Sequence, residues 1–304
     1  MKIKPQFGVH SEVGKLRKVM VHRPDLSLRR LTPANHDELL FDDVLWVDKA
    51  QEEHDAFTQA MRDHGVEVYY VEKLLAETLA AVDESTKRGY IDRIVNEYTM
   101  GWGLVKVLRD YIHGLPPAEL ATHLIGGLTK QEVKLDWDRL SKHSALAAIA
   151  TDDTFILPPL PNTLFTRDSS CWIYNGVAIN PMHSPARRLE AINVEAIYRD
   201  HPMFREAEFE HWYPQLGDDD RLDASDFGLA SLEGGDVLPI GNKTVLIGMS
   251  QRSTGRMIEQ IAKNLFAAQA AERVIACVMT KDRAHMHLDT VFTMLDMDAV
   301  TVYP

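Results

Sequence analysis

A twofold repeat constrains this chain more than any other feature. Cys171-Trp172-Ile173-Tyr174 and Val177-Ala178-Ile179 flank Asn175-Gly176, a pair suited to the type I′ turn whose twist matches the strands of a hairpin. The pattern returns as Val237-Leu238-Pro239-Ile240, a turn at Gly241-Asn242, and Thr244-Val245-Leu246-Ile247. Each copy is followed by a methionine and a basic helix start, with Arg187 in the first and Arg252 in the second. Each is preceded by an acidic turn, ending in Asp168 or Asp236. Self-similarity of this kind marks a modular fold. The expected class is α/β, an array of ββαβ modules whose strand ends carry polar residues toward one axis. Strands at 273–279 and 300–303 continue the series.

The remaining sequence divides around these copies. Residues 14–21 read as a strand, 23–47 as a charged loop, and a helix starts with Asp48 as N-cap and Gln51 completing a capping box. Gly65 ends it and 66–71 is a second strand, so 1–71 forms a first module. Residues 72–150 show helical periodicity broken at 101–103, 116–117 and 126–127, which predicts an all-helical insertion. Residues 151–304 return to the strand-rich pattern.

With 304 residues and 45% hydrophobic content the chain can bury a substantial core. Its net charge of −12 opposes binding to nucleic acid or an anionic membrane and favours a small cation as partner. No apolar run has signal-peptide or membrane-span length, so a cytoplasmic location is expected. Two cysteines, Cys171 and Cys277, are too few for a disulfide framework and read as buried, reduced thiols.

The acidic turns and the segment Met286 to Phe292 carry the chemistry. On an extended strand His287 and Asp289 would share a face. Asp168 and Asp289 are candidates for gripping a guanidinium, whose planar N–H fork matches two-oxygen acceptors; the plainer reading pairs Asp168 with Arg167 in a turn. His287 is a candidate general acid/base oriented by Glu233, against the plainer reading of a structural histidine. Arg187 and Arg252 are placed to receive a carboxylate, or else are solvated. His285, His287 and Asp289 also form an H-x-H-x-D run that a metal-dependent hydrolase could use. His183, His201 and His211 are scattered, so neither a metal nor another cofactor is expected.

Together these residues resemble the arginine deiminase family of the guanidino-group-modifying superfamily. The resemblance is carried by residues 7–19 (FGVHSEVGKLRKV), 39–44 (LLFDDV) and 160–168 (LPNTLFTRD), by Glu233-Gly234-Gly235-Asp236, and by His287-Leu288-Asp289. It implies a pseudo-five-fold α/β propeller with a helical insertion, and hydrolysis of L-arginine to L-citrulline and ammonia through a covalent thiol intermediate, without a metal. Asp168 and Asp289 would hold the guanidinium, His287 would move protons and Glu233 would support it. Arg187 and Arg252 would contact the substrate carboxylate, Asn162 and Phe165 would line the pocket, Asp236 would support it, and Leu40 would begin a mobile pocket loop. The resemblance also implies that the sequence stops before the final module, which carries the family's nucleophilic cysteine. No nucleophile is then expected in this chain, which would be inactive alone, and exposed sheet edges would favour a homo-oligomer. A non-catalytic arginine-binding or assembly component is the alternative.

Overall fold

The computed structural model describes residues 7–215 and 229–303, and the chain forms two units. A helical unit comprises Lys18–Leu164 and Ala196–Pro202, and a hairpin unit comprises Met1–Arg17, Phe165–Glu195 and Met203–Pro304. Their limits differ from the boundaries at 71/72 and 150/151 that composition predicts. Among the described residues no helix is long and apolar enough to cross a membrane.

In the helical unit, β1 (Lys18–Val21) pairs in parallel with β2 (Glu67–Tyr70), and the helix Val47–Asp63 connects them. The helix starts earlier than its capping pattern predicts. Trp46 is the N-cap, Asp48 lies in the first turn, and Gln51 donates its side chain to Pro24 O at 2.8 Å instead of closing a box. Five helices follow, ending with Pro117–Gly126. Val71, Leu74, Leu75 and Leu79 are buried on Val71–Ala81, the i, i+3, i+4, i+8 spacing of a helix with one face in the core. Pro117, which needs no N–H partner at a first helical position, opens the last of the five. The segment is not wholly helical, contrary to expectation. Gly127, at φ +83°, turns the chain into β3 (Leu128–Thr129), which pairs antiparallel with β4 (Phe155–Leu157).

The hairpin unit contains the repeat. Strands β5 (Ser170–Ile173) and β6 (Gly176–Ile179) are antiparallel, and β7 (Glu210–Tyr213) joins β6 in parallel. In the second copy, β8 (Val237–Gly241) and β9 (Thr244–Met249) are antiparallel, and β10 (Arg273–Val278) joins β9 in parallel. The helix Gly255–Ala267 lies between β9 and β10, and Arg188–Asp200 occupies the same place in the first copy. Both copies therefore have ββαβ order. The core gathers Ile173, Trp212, Val237, Val245, Ile247 and Ile261.

Two local readings need correction. The first hairpin turns at Tyr174-Asn175, with Tyr174 at φ +52°, while Gly176 opens β6. Glycine is required there by contact: a Cβ would lie 2.6 Å from the Trp212 ring and 2.7 Å from Glu210 O. Residues 286–291 are not a strand. His287 caps the short helix Leu288–Val291, because Asp236 Oδ1 accepts the Leu288 N–H at 2.8 Å and Thr290 N–H closes onto His287 O at 3.2 Å. Strand β11 (Phe292–Asp296) and β12 (Ala299–Val302) then form a separate antiparallel pair.

Candidate active site

Glu233-Gly234-Gly235-Asp236 forms the platform of the site. Residues 234–236 make a single tight turn into β8, and both glycines are close-packed. A Cβ on Gly234 would fall 1.9 Å from Arg167 O, and one on Gly235 would fall 2.7 Å from His287 Nδ1 and 3.0 Å from Asp289 Oδ2. Bare backbone at Gly235 thus lets the imidazole and a carboxylate settle against it. Asp168 Oδ1 accepts the Gly235 N–H at 3.3 Å and lies 3.8 Å from His287 Nδ1.

Glu233 is the electrostatic focus. Its side chain is fully buried, and Oε2 meets His287 Nε2 at 2.8 Å, Arg252 Nη1 at 3.2 Å and Arg187 Nη1 at 3.7 Å. Oε1 is buried without a hydrogen-bond partner among the described residues. Burial opposes the charged carboxylate, but the His287 hydrogen bond and then the two arginines outweigh it and hold Glu233 below its ordinary range. At His287 burial opposes the imidazolium, and the Glu233 hydrogen bond with the Asp168 charge reverses that effect and raises the ring. An ionised Glu233 can only accept, so Nε2 carries a proton and Nδ1 is the nitrogen free to exchange one.

The carboxylates differ in how far they are engaged. Asp168 Oδ2 accepts from Arg187 Nη1 at 2.8 Å. Asp236 is enclosed, accepting from Ser250 and Ser253 Oγ at 2.7 and 2.5 Å and from Leu288 N–H; burial raises it despite those donors. Asp289 is only partly buried, and its carboxylate makes no hydrogen bond or ion pair among the described residues. Burial raises it, against the pull of His287 and Arg167. A small cation with several N–H donors would find in Asp289 an unused acceptor beside an oriented imidazole.

Several sequence expectations change. Arg167 does not pair with Asp168; its guanidinium holds Glu12 at 3.1 and 2.9 Å and donates to Gly234 O and Val237 O. Arg187, 2% exposed, is enclosed by Asp168, by Glu190 at 2.9 Å and by Glu233, so its fork serves internal carboxylates and not an external one. Burial pushes Glu190 up to about 7, with Arg187 opposing. Arg252 keeps a 12% exposed side chain. Phe165 is 49% exposed and gives its carbonyl to Arg187 Nη2 at 3.4 Å. Asn162 and Leu40 lie in the helical unit; the Asn162 amide donates to Leu39 O at 2.6 Å, and Leu40 stands at φ +66°, a left-handed conformation that is costly for a branched side chain.

Sequence reasoning missed Glu190, Ser250, Ser253 and the Glu12–Arg167 pair. Only Glu190 left a local signal, its i, i+3 spacing from Arg187 at a helix start. The H-x-H-x-D ligand set is not assembled, since His285 turns to Asp282 and Thr280. Asp168, Glu233 and His287 do bring three ligand atoms within 4.8 Å of one another, but a divalent cation there would face the guanidinium groups of Arg187 and Arg252. Neither cysteine hydrogen-bonds to His287 or Glu233 among the described residues. The Cys171 thiol lies beside the Asn180 side chain, and Cys277 Sγ faces Ile275 O. Burial pushes the Cys171 thiol up to about 12; Cys277, only partly buried on β10 and not enclosed as expected, is also raised by the burial it has, the reverse of what an attacking thiolate needs.

The sequence model of the arginine deiminase family matches residues 37–304. Among solved structures, dimethylarginine dimethylaminohydrolase as an adduct with 4-chloro-2-hydroxymethylpyridine aligns at 14% identity and TM-score 0.45, over 95% of this chain and 69% of that one. SxtG, an amidinotransferase from Microseira wollei in a saxitoxin biosynthetic pathway, aligns at 13% identity and TM-score 0.47, over 98% and 71%.

Proposed function

The chain belongs to the arginine deiminase family, and on that premise we propose that its cluster binds the guanidinium of L-arginine for hydrolysis to L-citrulline and ammonia. The observation that carries this reading is the unused Asp289 carboxylate packed against Gly235 beside His287 and Asp168. Asp289 and Asp168 take the guanidinium N–H groups, and Phe165 covers the alkyl chain. Arg252, the more accessible of the two arginines, meets the α-carboxylate, while Arg187 holds Asp168 and Glu233 in place.

In the chemistry proposed for the complete reaction, a cysteine thiolate supplied by neither Cys171 nor Cys277 attacks the guanidinium carbon, and the C–N bond breaks as His287 passes a proton from Nδ1 to the departing ammonia. Water then adds to the same carbon, His287 takes one of its protons, and the C–S bond breaks to release thiolate and citrulline, the second proton passing to solvent. Glu233 keeps Nε2 protonated throughout. Neither Cys171 nor Cys277 serves as the nucleophile, so the 304 residues bind and orient the substrate and leave it unchanged. The two ββαβ copies belong, on this reading, to a pseudo-five-fold propeller.

Citrulline formation provides the test. The 304-residue chain should form none from L-arginine. Turnover abolished by Cys171→Ser or Cys277→Ser would overturn the assignment of the nucleophile.

A further inference from the structure

A cavity with an apolar wall and charged side chains at its border lies wholly within the helical unit, apart from the cluster around Glu233. It has a volume of about 540 Å³, within the range of small-molecule sites. It sits past the carboxyl ends of the parallel pair: His22 and Arg23 directly follow β1, and Tyr70 ends β2. That is where open parallel sheets commonly receive ligands.

Three features make this cavity more than a gap between helices. The first turns of Val71–Ala81 and Pro117–Gly126 both border it, through Glu72 and Lys73 and through Ala118 and Glu119. Neither helix has a side-chain cap, so the first-turn N–H groups, which begin at Ala118 in the proline-headed second helix, and the two dipoles face an anion favourably. Second, His22 lines the cavity, is only 3% exposed, and makes no hydrogen bond among the described residues. Burial, aided by the nearby His54, pushes its pKa down to about 4. At neutral pH the ring therefore offers one donor and one acceptor toward the cavity it lines.

The third feature is the distribution of charge. Arg23 spends Nε and Nη2 on Asp55, which leaves Nη1 uncommitted, and Lys73 meets Glu77 only at 3.8 Å with a 74% exposed side chain. Opposite sign comes from Asp25, Glu72 and Glu119, of which Glu72 already accepts from Thr122 Oγ1 at 2.7 Å. A simple anion would meet these carboxylates, and a simple cation would meet the helix starts and the basic pair. A ligand carrying both charges satisfies both sets, and Ala76, Ala118 and the Tyr70 ring give its carbon atoms an apolar surface.

We propose that this cavity binds a small zwitterion, a free α-amino acid, with its carboxylate toward Arg23, Lys73 and the backbone N–H groups of the helix starts and its ammonium toward the side chains of Asp25, Glu72 and Glu119. His22 supplies the buried hydrogen bond that fixes the orientation.

The test follows the His22 ring nitrogens by NMR in the full chain, assigned through their backbone connectivities, during titration with L-alanine. L-Alanine lacks the guanidinium that Asp289 and Asp168 are proposed to hold, and the signal is read at His22, in the other unit from Glu233 and Arg252. A saturable shift at His22 is expected, with acetate or ethylammonium at equal concentration giving less than about a third of it, because each meets only half of the charge pattern. Lys73→Gln, on the exposed rim where folding is not at stake, should weaken L-alanine about threefold or more, and added salt should erode that difference. No saturable shift overturns the proposal, as does acetate matching L-alanine, which would make this a plain anion pocket. Unchanged affinity in both Lys73→Gln and Arg23→Gln would overturn it as well.

Discussion

The two ββαβ copies share strand order and pairing yet differ in how they are covered. The third strand of the first copy, β7, buries Trp212 at 2% exposure, with its indole N–H on Ile173 O at 2.8 Å. The third strand of the second, β10, leaves Ile275 40% and Val278 78% exposed. The basic residues after each hairpin diverge in the same sense: Arg187 is enclosed and Arg252 keeps an accessible edge. Equal topology therefore does not give equal environments. The strand pattern sets the path of the chain, and the residues packed over each strand decide whether a side chain stabilises the core or remains available.

The largest expected effect comes from the covered strand. Trp212→Ala should cost about 3–5 kcal/mol in chemical denaturation, from lost burial and an orphaned Ile173 carbonyl. A loss under about 1 kcal/mol would mean that the first copy is no better packed than the second.

Next is the Glu233–His287 pair at the module ends. Glu233 is lowered on folding, so its contribution is present above its ordinary 4.5 and is lost as pH falls through the folded value. His287 is raised, so its contribution is present below 6.5 and is lost as pH rises through the folded value. The difference in unfolding free energy between wild type and Glu233→Gln should therefore peak between pH 4.5 and 6.5, at about 1–3 kcal/mol, and shrink on both sides. A difference that is flat with pH would sever the pair from stability.

Gly176→Ala should cost about 1–3 kcal/mol, because its methyl group meets the Trp212 ring and Glu210 O. Combining it with Trp212→Ala should recover much of that loss, a coupling that a double-mutant cycle reads directly. The smallest effect is expected at Ile275→Ala, below about 1 kcal/mol, since the side chain is already partly in water. A cost rivalling that of Trp212→Ala would erase the contrast between the copies.

Much of this was legible locally. Both hairpins follow from apolar runs around Asn-Gly and Gly-Asn, and helix breaks at Gly101, Pro116 and Gly127 follow from single residues that do not readily continue a helix. The misreadings have non-local causes. Gly176 answers to Trp212 from a later strand, which shifts the turn back to Tyr174-Asn175. The stretch after Met286 bends into a helix because Asp236, from the start of the second copy, takes the Leu288 N–H. The identity of Arg167's partner depended on Glu12, distant in sequence. Asp168, Glu233, His287 and Asp289 were nameable as residue types suited to a guanidinium. That Asp289 alone among the four is left without a hydrogen bond or ion pair among the described residues could be seen only in three dimensions.

Titration of the 304-residue chain with L-arginine, followed at the His287 ring nitrogens, tests the central claim most directly. If Asp289 and Asp168 grip a guanidinium against Gly235, the His287 signals shift saturably, and Asp289→Asn weakens binding by about tenfold or more, the loss of one charge-assisted contact. His287 signals indifferent to L-arginine, or an affinity that the Asp289→Asn substitution leaves untouched, would contradict the claim.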